Sequence, residues 1–233
     1  MTHQPHTTAM WEQAIDCISA TETHPFLMAM LDGSLDMASF KYYILQDSHY
    51  LKLFGAALRL LSQSKSATPE DAKALQGFAD GADFAERGLH DSFFKSWNCA
   101  VSDASPCPNN LLYTSYLTSV VATEGHAEGL AVLLPCFWVY MHVGQRLLEA
   151  RSASTAKRPE EFDRWIDMYG GEEFGKAVTA YRDMVEKAAE GASEETRKRM
   201  AEHFCKCCEL EWMFWAAAID QQAWPQYPPA PKQ

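Results

Sequence analysis

Two carboxylates lie on otherwise apolar helical faces, where side-chain packing gives no reason for a charge. Asp47 falls on a stripe of apolar residues that recur every three or four positions between Phe40 and Leu61. Glu211 falls on a similar stripe that begins at Met200. Burying a carboxylate costs on the order of several kcal/mol unless it is paired or bound. Either residue could therefore be satisfied by a structural partner such as a tyrosine, or could belong to a site in which an interior Glu211 has the raised pKa of a general acid.

Cys136 is a third candidate, and it directly follows Pro135 in the most apolar stretch of the chain, residues 130–141. Proline removes a backbone donor, and irregular helical segments often accompany functional sites. A buried cysteine is by default a small hydrophobic side chain. If Cys136 faced two interior carboxylates, its thiol would not be strongly acidic, and it would need a base to take its proton during attack.

Other side chains could bind a flat ligand or a metal. Tyr113 and Tyr169 supply phenols that could stack on a ring, although each could equally be a core tyrosine. Bundles can also hold di-iron centres, but the Glu-x-x-His spacing that such centres use does not occur twice. We expect most of the metal-capable residues to lie on solvated faces; they are Glu86, His90, Glu124, His126, Glu128, Glu202 and His203. The thiols of Cys205, Cys207 and Cys208 lack the second ligand pair of a zinc site.

The elements that position these residues all have helical spacing. Asp36 is a good N-cap for the helix that carries Asp47, and Thr68-Pro69 predicts the start of a second helix that runs to about Trp97. The composition of residues 99–110 predicts a loop, and Ser193 predicts the start of the helix that carries Glu211. Because strand alternation is absent from the sequence pattern, we predict an all-α multi-helix bundle.

Length and composition agree with a single enzyme-sized domain. The 233 residues are 47% hydrophobic, so we treat 1–233 as one domain, with a helical part over about 8–222 and a Pro-rich tail over 223–233. The net charge of −11 argues against nucleic acid or an anionic membrane as the partner. Seven cysteines without framework spacing indicate reduced thiols, and no secretory signal is visible, so we expect a cytoplasmic location, with an organelle as the alternative.

Five segments in this order and spacing resemble the TenA, or thiaminase II, family. They are QDSHYL (46–51), YTSYL (113–117), AEGLAVLLPCFW (127–138), MYGGEEF (168–174) and EWMFW (211–215). The similarity extends from about Trp11 to Trp224. The resemblance implies a heme-oxygenase-like all-α fold, usually a homotetramer. It also implies hydrolysis of 4-amino-5-aminomethyl-2-methylpyrimidine to the hydroxymethyl compound and ammonia in thiamin salvage, with weaker cleavage of thiamin itself.

The resemblance also implies roles for individual residues. Cys136 matches the nucleophile, Asp47 the carboxylate that holds the aminopyrimidine edge, and Glu211 the general acid and base. Four aromatic residues match substrate contacts: Tyr50 near the thiol, Tyr113 and Tyr169 at the ring, and Phe214 as a wall. The residues imply no metal and no organic cofactor. Tyr116 could replace Tyr113 if the alignment shifts by one turn, and Glu209 competes with Glu211.

Two other functions remain open from the sequence. Scattered Glu and His residues suggest a di-iron or heme-type oxidase on the same bundle. A non-catalytic pyrimidine-binding protein would need Asp47 and the tyrosines, but not Cys136 together with Glu211.

Overall fold

The computed structural model describes residues 4–227, except for the side chains of 85–87 and 103, and this part of the chain contains helices and no strand. The α-helices are α1 His6–Gln13, α2 Ile15–Glu22, α3 Pro25–Asp32, α4 Met37–Ser62, α5 Pro69–Ala85, α6 Asp91–Trp97, α7 Pro108–Thr123, α8 His126–Ser152, α9 Glu160–Gly170, α10 Glu172–Glu190 and α11 Glu194–Ile219. A π-helical turn, Glu86–His90, joins α5 to α6, and a short 3₁₀ turn, Val101–Asp103, precedes α7. The predicted all-α bundle is confirmed.

The predicted helix starts are made by side-chain caps. The carboxylate of Asp36 accepts a hydrogen bond from Ala38 N at the start of α4. Thr68 Oγ1 and Ser193 Oγ accept backbone hydrogen bonds in the same way at the starts of α5 and α11. These bonds satisfy N–H groups that have no partner inside a helix. The predicted loop over 99–110 extends too far, because α7 already begins at Pro108 with the Sγ atom of Cys107 as its cap.

Helix α8 is the central element of the bundle. It packs against α9, α10 and α11, while α4 packs against α5 and α7. Pro135 lies within α8 without ending it. By length and composition alone α8 could cross a membrane, but 83% of its apolar window is buried, which is the burial of a central core helix.

Two glycines, Gly144 and Gly170, allow a close contact between α8 and α9. A Cβ atom on Gly144 of α8 would lie 2.4 Å from the carbonyl carbon of Tyr169 and 2.5 Å from the backbone nitrogen of Gly170 in α9. Both distances are far below van der Waals contact, and backbone atoms cannot rotate away. Glycine at 144 therefore sets how near Tyr169 lies to α8.

We predict that Gly144→Ala lowers the free energy of unfolding by about 1–3 kcal/mol, because the added methyl group must push α9 away from α8. Urea unfolding measures this change. Gly77→Ala in α5 is the matched control, since nothing lies within 4 Å of its added Cβ; it should stabilise the protein by about 0.5–1 kcal/mol. Equal stability of Gly144→Ala and the wild type would contradict the close approach.

Candidate active site

A cavity of about 950 Å³ lies between α4, α5, α8, α9 and the start of α10. Most of its wall is apolar or aromatic. Such cavities are typical binding sites for small organic molecules, with a few polar groups that fix orientation. The polar groups that line it include Asp47, Cys136, Tyr140 and Tyr169.

Cys136 contributes its thiol to this cavity from the middle of α8. The side chain is partly buried and all seven cysteines of the chain are free thiols. Burial raises the pKa of the Cys136 thiol well above its ordinary value, and the negative charges of Glu211 and Asp47 raise it further. The nearby hydroxyl of Tyr50 acts in the opposite direction and lowers this pKa. The resting group is therefore a thiol rather than a thiolate, as the sequence predicts.

Glu211 is buried behind the cavity wall on α11, with 1% of its surface exposed. Burial raises the pKa of its carboxyl group to about 8, and the charge of Asp47 adds to this rise. The Tyr113 hydroxyl donates a hydrogen bond of 2.7 Å to Glu211 Oε1, which lowers the pKa in part. Near neutral pH the group is mostly protonated, so it can give up a proton, as a general acid must.

Asp47 is 2% exposed on α4 and also lines the cavity. His90, from the π-helical turn, brings its Nε2 atom within 3.1 Å of Asp47 Oδ2. The expectation that His90 lies on a solvated face is wrong, because its ring is 1% exposed. The signal for its burial is present in the sequence, since His90 lies on the apolar stripe of Leu89, Phe93 and Phe94.

Four tyrosines and one phenylalanine surround these groups. Tyr169 lies on the cavity wall, in ring contact with Tyr140 at a centroid distance of 4.9 Å. The rings of Tyr50 and Tyr113 are 4.9 Å apart, and Phe214 packs 5.8 Å from Tyr50. These last three rings are buried beside Glu211 and Cys136 rather than on the cavity wall.

Tyr140 is a further aromatic residue at the site that the sequence pattern does not single out. It lies one turn after Cys136 on the same face of α8 and lines the cavity. Its hydrogen bond to Glu211 lowers the pKa of that carboxyl group. The i, i+4 spacing to Cys136 is the sequence signal that could have identified it.

The two alternative residues lie elsewhere. Glu209 is exposed and pairs with Lys206 on the surface of α11, whereas Glu211 faces inward. The hydroxyl of Tyr116 lies 2.8 Å from His203 Nδ1, whereas Tyr113 reaches Glu211. The geometry therefore brings Tyr113 and Glu211 together with Cys136 and Asp47.

The metal-capable residues are scattered and have separate partners. Arg199 donates to Glu128 at 2.7 Å, and Glu128 is 2% exposed, so its predicted place on a solvated face is also wrong. His203 contacts Tyr116, and His90 contacts Asp47 and Ser48. Within the described residues no three His, Cys, Asp or Glu side chains are grouped as metal ligands.

Comparisons with known proteins give a consistent assignment. The model of the TENA/THI-4/PQQC family matches residues 6–221. Aminopyrimidine aminohydrolase of Bacillus subtilis is 32% identical to the chain over 204 residues, which are 86% of this chain and 84% of that protein. The thiamine biosynthesis multifunctional protein ThiED of Corynebacterium efficiens is 28% identical over 221 residues; the match covers 94% of this chain but only 29% of ThiED.

Solved structures match over nearly the whole fold. The TenA homologue protein from P. horikoshii OT3 superposes with a TM-score of 0.83 at 22% identity, over 93% of this chain and 99% of that one. A domain of unknown function with a heme oxygenase-like fold, from Shewanella denitrificans OS217, gives a TM-score of 0.75 at 15% identity, over 95% and 94%. The predicted heme-oxygenase-like fold is confirmed.

We predict that Glu211 makes the stability of the protein fall as the pH rises. Its pKa is about 8 in the folded protein and 4.5 ordinarily, so between these values the folded state holds one more proton than the unfolded state. This group alone should lower the free energy of unfolding by about 1.4 kcal/mol per pH unit in that window. The contribution of Glu211 to stability is fully present below its pKa in the unfolded state. It is lost as the pH rises through its pKa in the folded state.

Urea unfolding of the wild type and Glu211→Gln at several pH values measures this effect. The stability of the wild type relative to Glu211→Gln should decrease steadily from about pH 5 to about pH 8. Glu209→Gln, with its side chain in solvent, should leave the slope unchanged. Parallel curves for the wild type and Glu211→Gln would show that the carboxyl group titrates normally.

Proposed function

We propose a hydrolytic function for this chain because it belongs to the TENA/THI-4/PQQC family. The substrate class is an aminopyrimidine with an aminomethyl substituent, namely 4-amino-5-aminomethyl-2-methylpyrimidine. Water replaces its exocyclic amine, which gives the hydroxymethylpyrimidine and ammonia. The similarity to aminopyrimidine aminohydrolase supports this reaction, and the similarity to ThiED supports a place in thiamin salvage, with thiamin itself as a further substrate.

One observation carries the proposal. The thiol of Cys136 and the carboxylate of Asp47 line the same cavity, and a third buried group, Glu211, lies behind its wall with a 2.7 Å hydrogen bond from Tyr113. Three polar groups in an apolar core are costly separately, but together they provide a nucleophile, a holding group for the ring and a proton donor.

The first step is addition of the thiol to the ring. Asp47 accepts hydrogen bonds from the amino group and from the adjacent ring nitrogen in its protonated form, and thereby polarises a poorly electrophilic heterocycle. The sulfur of Cys136 forms a bond to a ring carbon, the π electrons of the C=N bond move to the nitrogen, and the thiol proton moves with them. Aromaticity is lost in this adduct. The nearby Tyr50 hydroxyl lowers the pKa of the thiol and so favours its attack.

The second step is loss of the amine and its replacement by water. Electrons from the ring nitrogen expel the exocyclic amine, and Glu211 protonates it as it departs as ammonia. The resulting carboxylate then takes a proton from water as the water oxygen bonds to the exocyclic carbon. Cleavage of the carbon–sulfur bond restores the aromatic ring and the Cys136 thiol. Cys136 and Glu211 supply the protons that these two steps require.

We also propose a cytoplasmic homotetramer. The seven free cysteines support a reducing compartment. Neighbouring helices α4 and α7 expose Leu53, Leu60, Leu111 and Leu112, each at least 40% accessible, which supports an interface between copies. A particle mass of one chain in solution would contradict this assembly.

We predict that Cys136→Ser lowers turnover of the aminomethylpyrimidine by at least about 10²-fold, because a hydroxyl is a far weaker nucleophile here. Ammonia release in steady state measures it. Cys99→Ser, which changes a partly exposed thiol outside the site, should retain wild-type rates. Undiminished turnover by Cys136→Ser would rule out the covalent route. If the wild type binds a pyrimidine tightly but does not turn it over, the chain is a binding protein.

We predict that Tyr113→Phe moves the alkaline limb of the rate profile to higher pH. The Tyr113 hydrogen bond lowers the pKa of Glu211, so its removal raises that pKa and keeps the acid protonated further into the alkaline range. The pH dependence of kcat/KM measures the limb. Tyr116→Phe is the matched control because its hydroxyl contacts His203. A limb that stays fixed or moves to lower pH would exclude Glu211 as the proton donor.

A further inference from the structure

A buried imidazole that the proposed reaction does not use lies beside Asp47. His90 is the last residue of the π-helical turn Glu86–His90. Its Nδ1 atom lies 2.8 Å from Ser48 Oγ, and its Nε2 atom lies 3.1 Å from Asp47 Oδ2. The ring therefore contacts two consecutive residues of α4 from a separate segment of the chain.

The hydroxyl of Ser48 holds one side of the His90 ring. Ser48 Oγ lies 2.8 Å from Nδ1 of His90 and 3.2 Å from the carbonyl oxygen of Ile44, one turn earlier in α4. When the hydroxyl proton is donated to Nδ1, the ring proton is on Nε2, the atom that faces the carboxylate of Asp47.

A proton on Nε2 completes the contact between His90 and Asp47. Two acceptors with no proton between them, 3.1 Å apart in a buried site, would repel each other. Nε2 is a donor in one tautomer of the imidazole and can therefore hold Oδ2 of the carboxylate, which reduces the cost of burying that oxygen.

The contact between His90 Nε2 and Asp47 Oδ2 is loosely aligned. No described residue makes a hydrogen bond of good geometry to Asp47 Oδ2, although His90 Nε2 is within range. Contacts of this kind often tighten when a substrate binds. A small rotation of the carboxylate, driven by donors from the cavity side, would place Oδ2 in line with Nε2.

We propose that His90 is a positioning residue that holds Oδ2 of Asp47 through Nε2. The carboxylate then presents one fixed edge to the amino group and ring nitrogen of an aminopyrimidine. This inference rests on the proposed function, because the edge that Asp47 recognises is that of an aminopyrimidine. His90 itself acts through Asp47 and lies outside the cavity wall.

Two amide variants of His90 distinguish the contact of Nε2 with Asp47 from the contact of Nδ1 with Ser48. The amide nitrogen of His90→Gln reaches the position of Nε2 and can still hold Asp47, whereas that of His90→Asn reaches the position of Nδ1 and contacts only Ser48. Calorimetric titration with 4-amino-5-hydroxymethyl-2-methylpyrimidine measures binding. We expect Kd to rise about 10-fold to 100-fold in His90→Asn and less than about 5-fold in His90→Gln.

Equal binding by the two variants would overturn the proposal, since a merely structural role would affect both alike. Thermal unfolding verifies that both variants fold. A second measurement needs no ligand: in ring ¹⁵N spectra of the full chain, Asp47→Asn should shift the Nε2 signal of His90 and Ser48→Ala the Nδ1 signal. An Nε2 signal that is unchanged in Asp47→Asn would also overturn the proposal. If the wild-type chain binds no pyrimidine but these shifts are seen, only the proposed function is overturned.

Discussion

Two carboxylates buried in one apolar core, Asp47 and Glu211, impose the constraint around which the site is arranged. The charge of Asp47 raises the cost of ionising Glu211, and both carboxylates raise the pKa of Cys136. The cost of burial is reduced in a different way for each carboxylate. Glu211 remains protonated near neutral pH, with Tyr113 on one oxygen, while Asp47 has the ring of His90 beside it. The different surroundings separate a proton donor from a holding group.

One face of α8 organises the other half of the site. Cys136, Tyr140 and Gly144 follow one another at intervals of four residues, so they form a single line along the helix. The first two line the cavity, and Gly144 admits the backbone of α9 close enough for Tyr169 to meet Tyr140. Gly144, which allows this helix contact, thus fixes the position of the Tyr169 ring at the cavity.

The periodicity of the sequence was sufficient to predict the helices and the inward direction of Asp47, Glu211 and Cys136, because both depend on local spacing. Periodicity also places His90 on an apolar stripe, but it does not identify Asp47 as the partner of the buried ring. The partner of Asp47 comes from a segment more than 40 positions away, through a π-helical turn that has no sequence signature. Such long-range pairings follow from packing rather than from local pattern.

In the proposed reaction, the raised pKa of Cys136 implies that ligand binding, rather than a resting thiolate, makes the thiol reactive. Glu211 and Asp47 oppose a thiolate as long as either carries an unscreened charge. A ligand that donates two hydrogen bonds to Asp47 would spread that charge over the heterocycle and weaken its effect on the thiol. The same contact would polarise the ring, so that a neutral thiol is sufficient for addition. Recognition by Asp47 and activation of Cys136 are then one event in the proposed reaction.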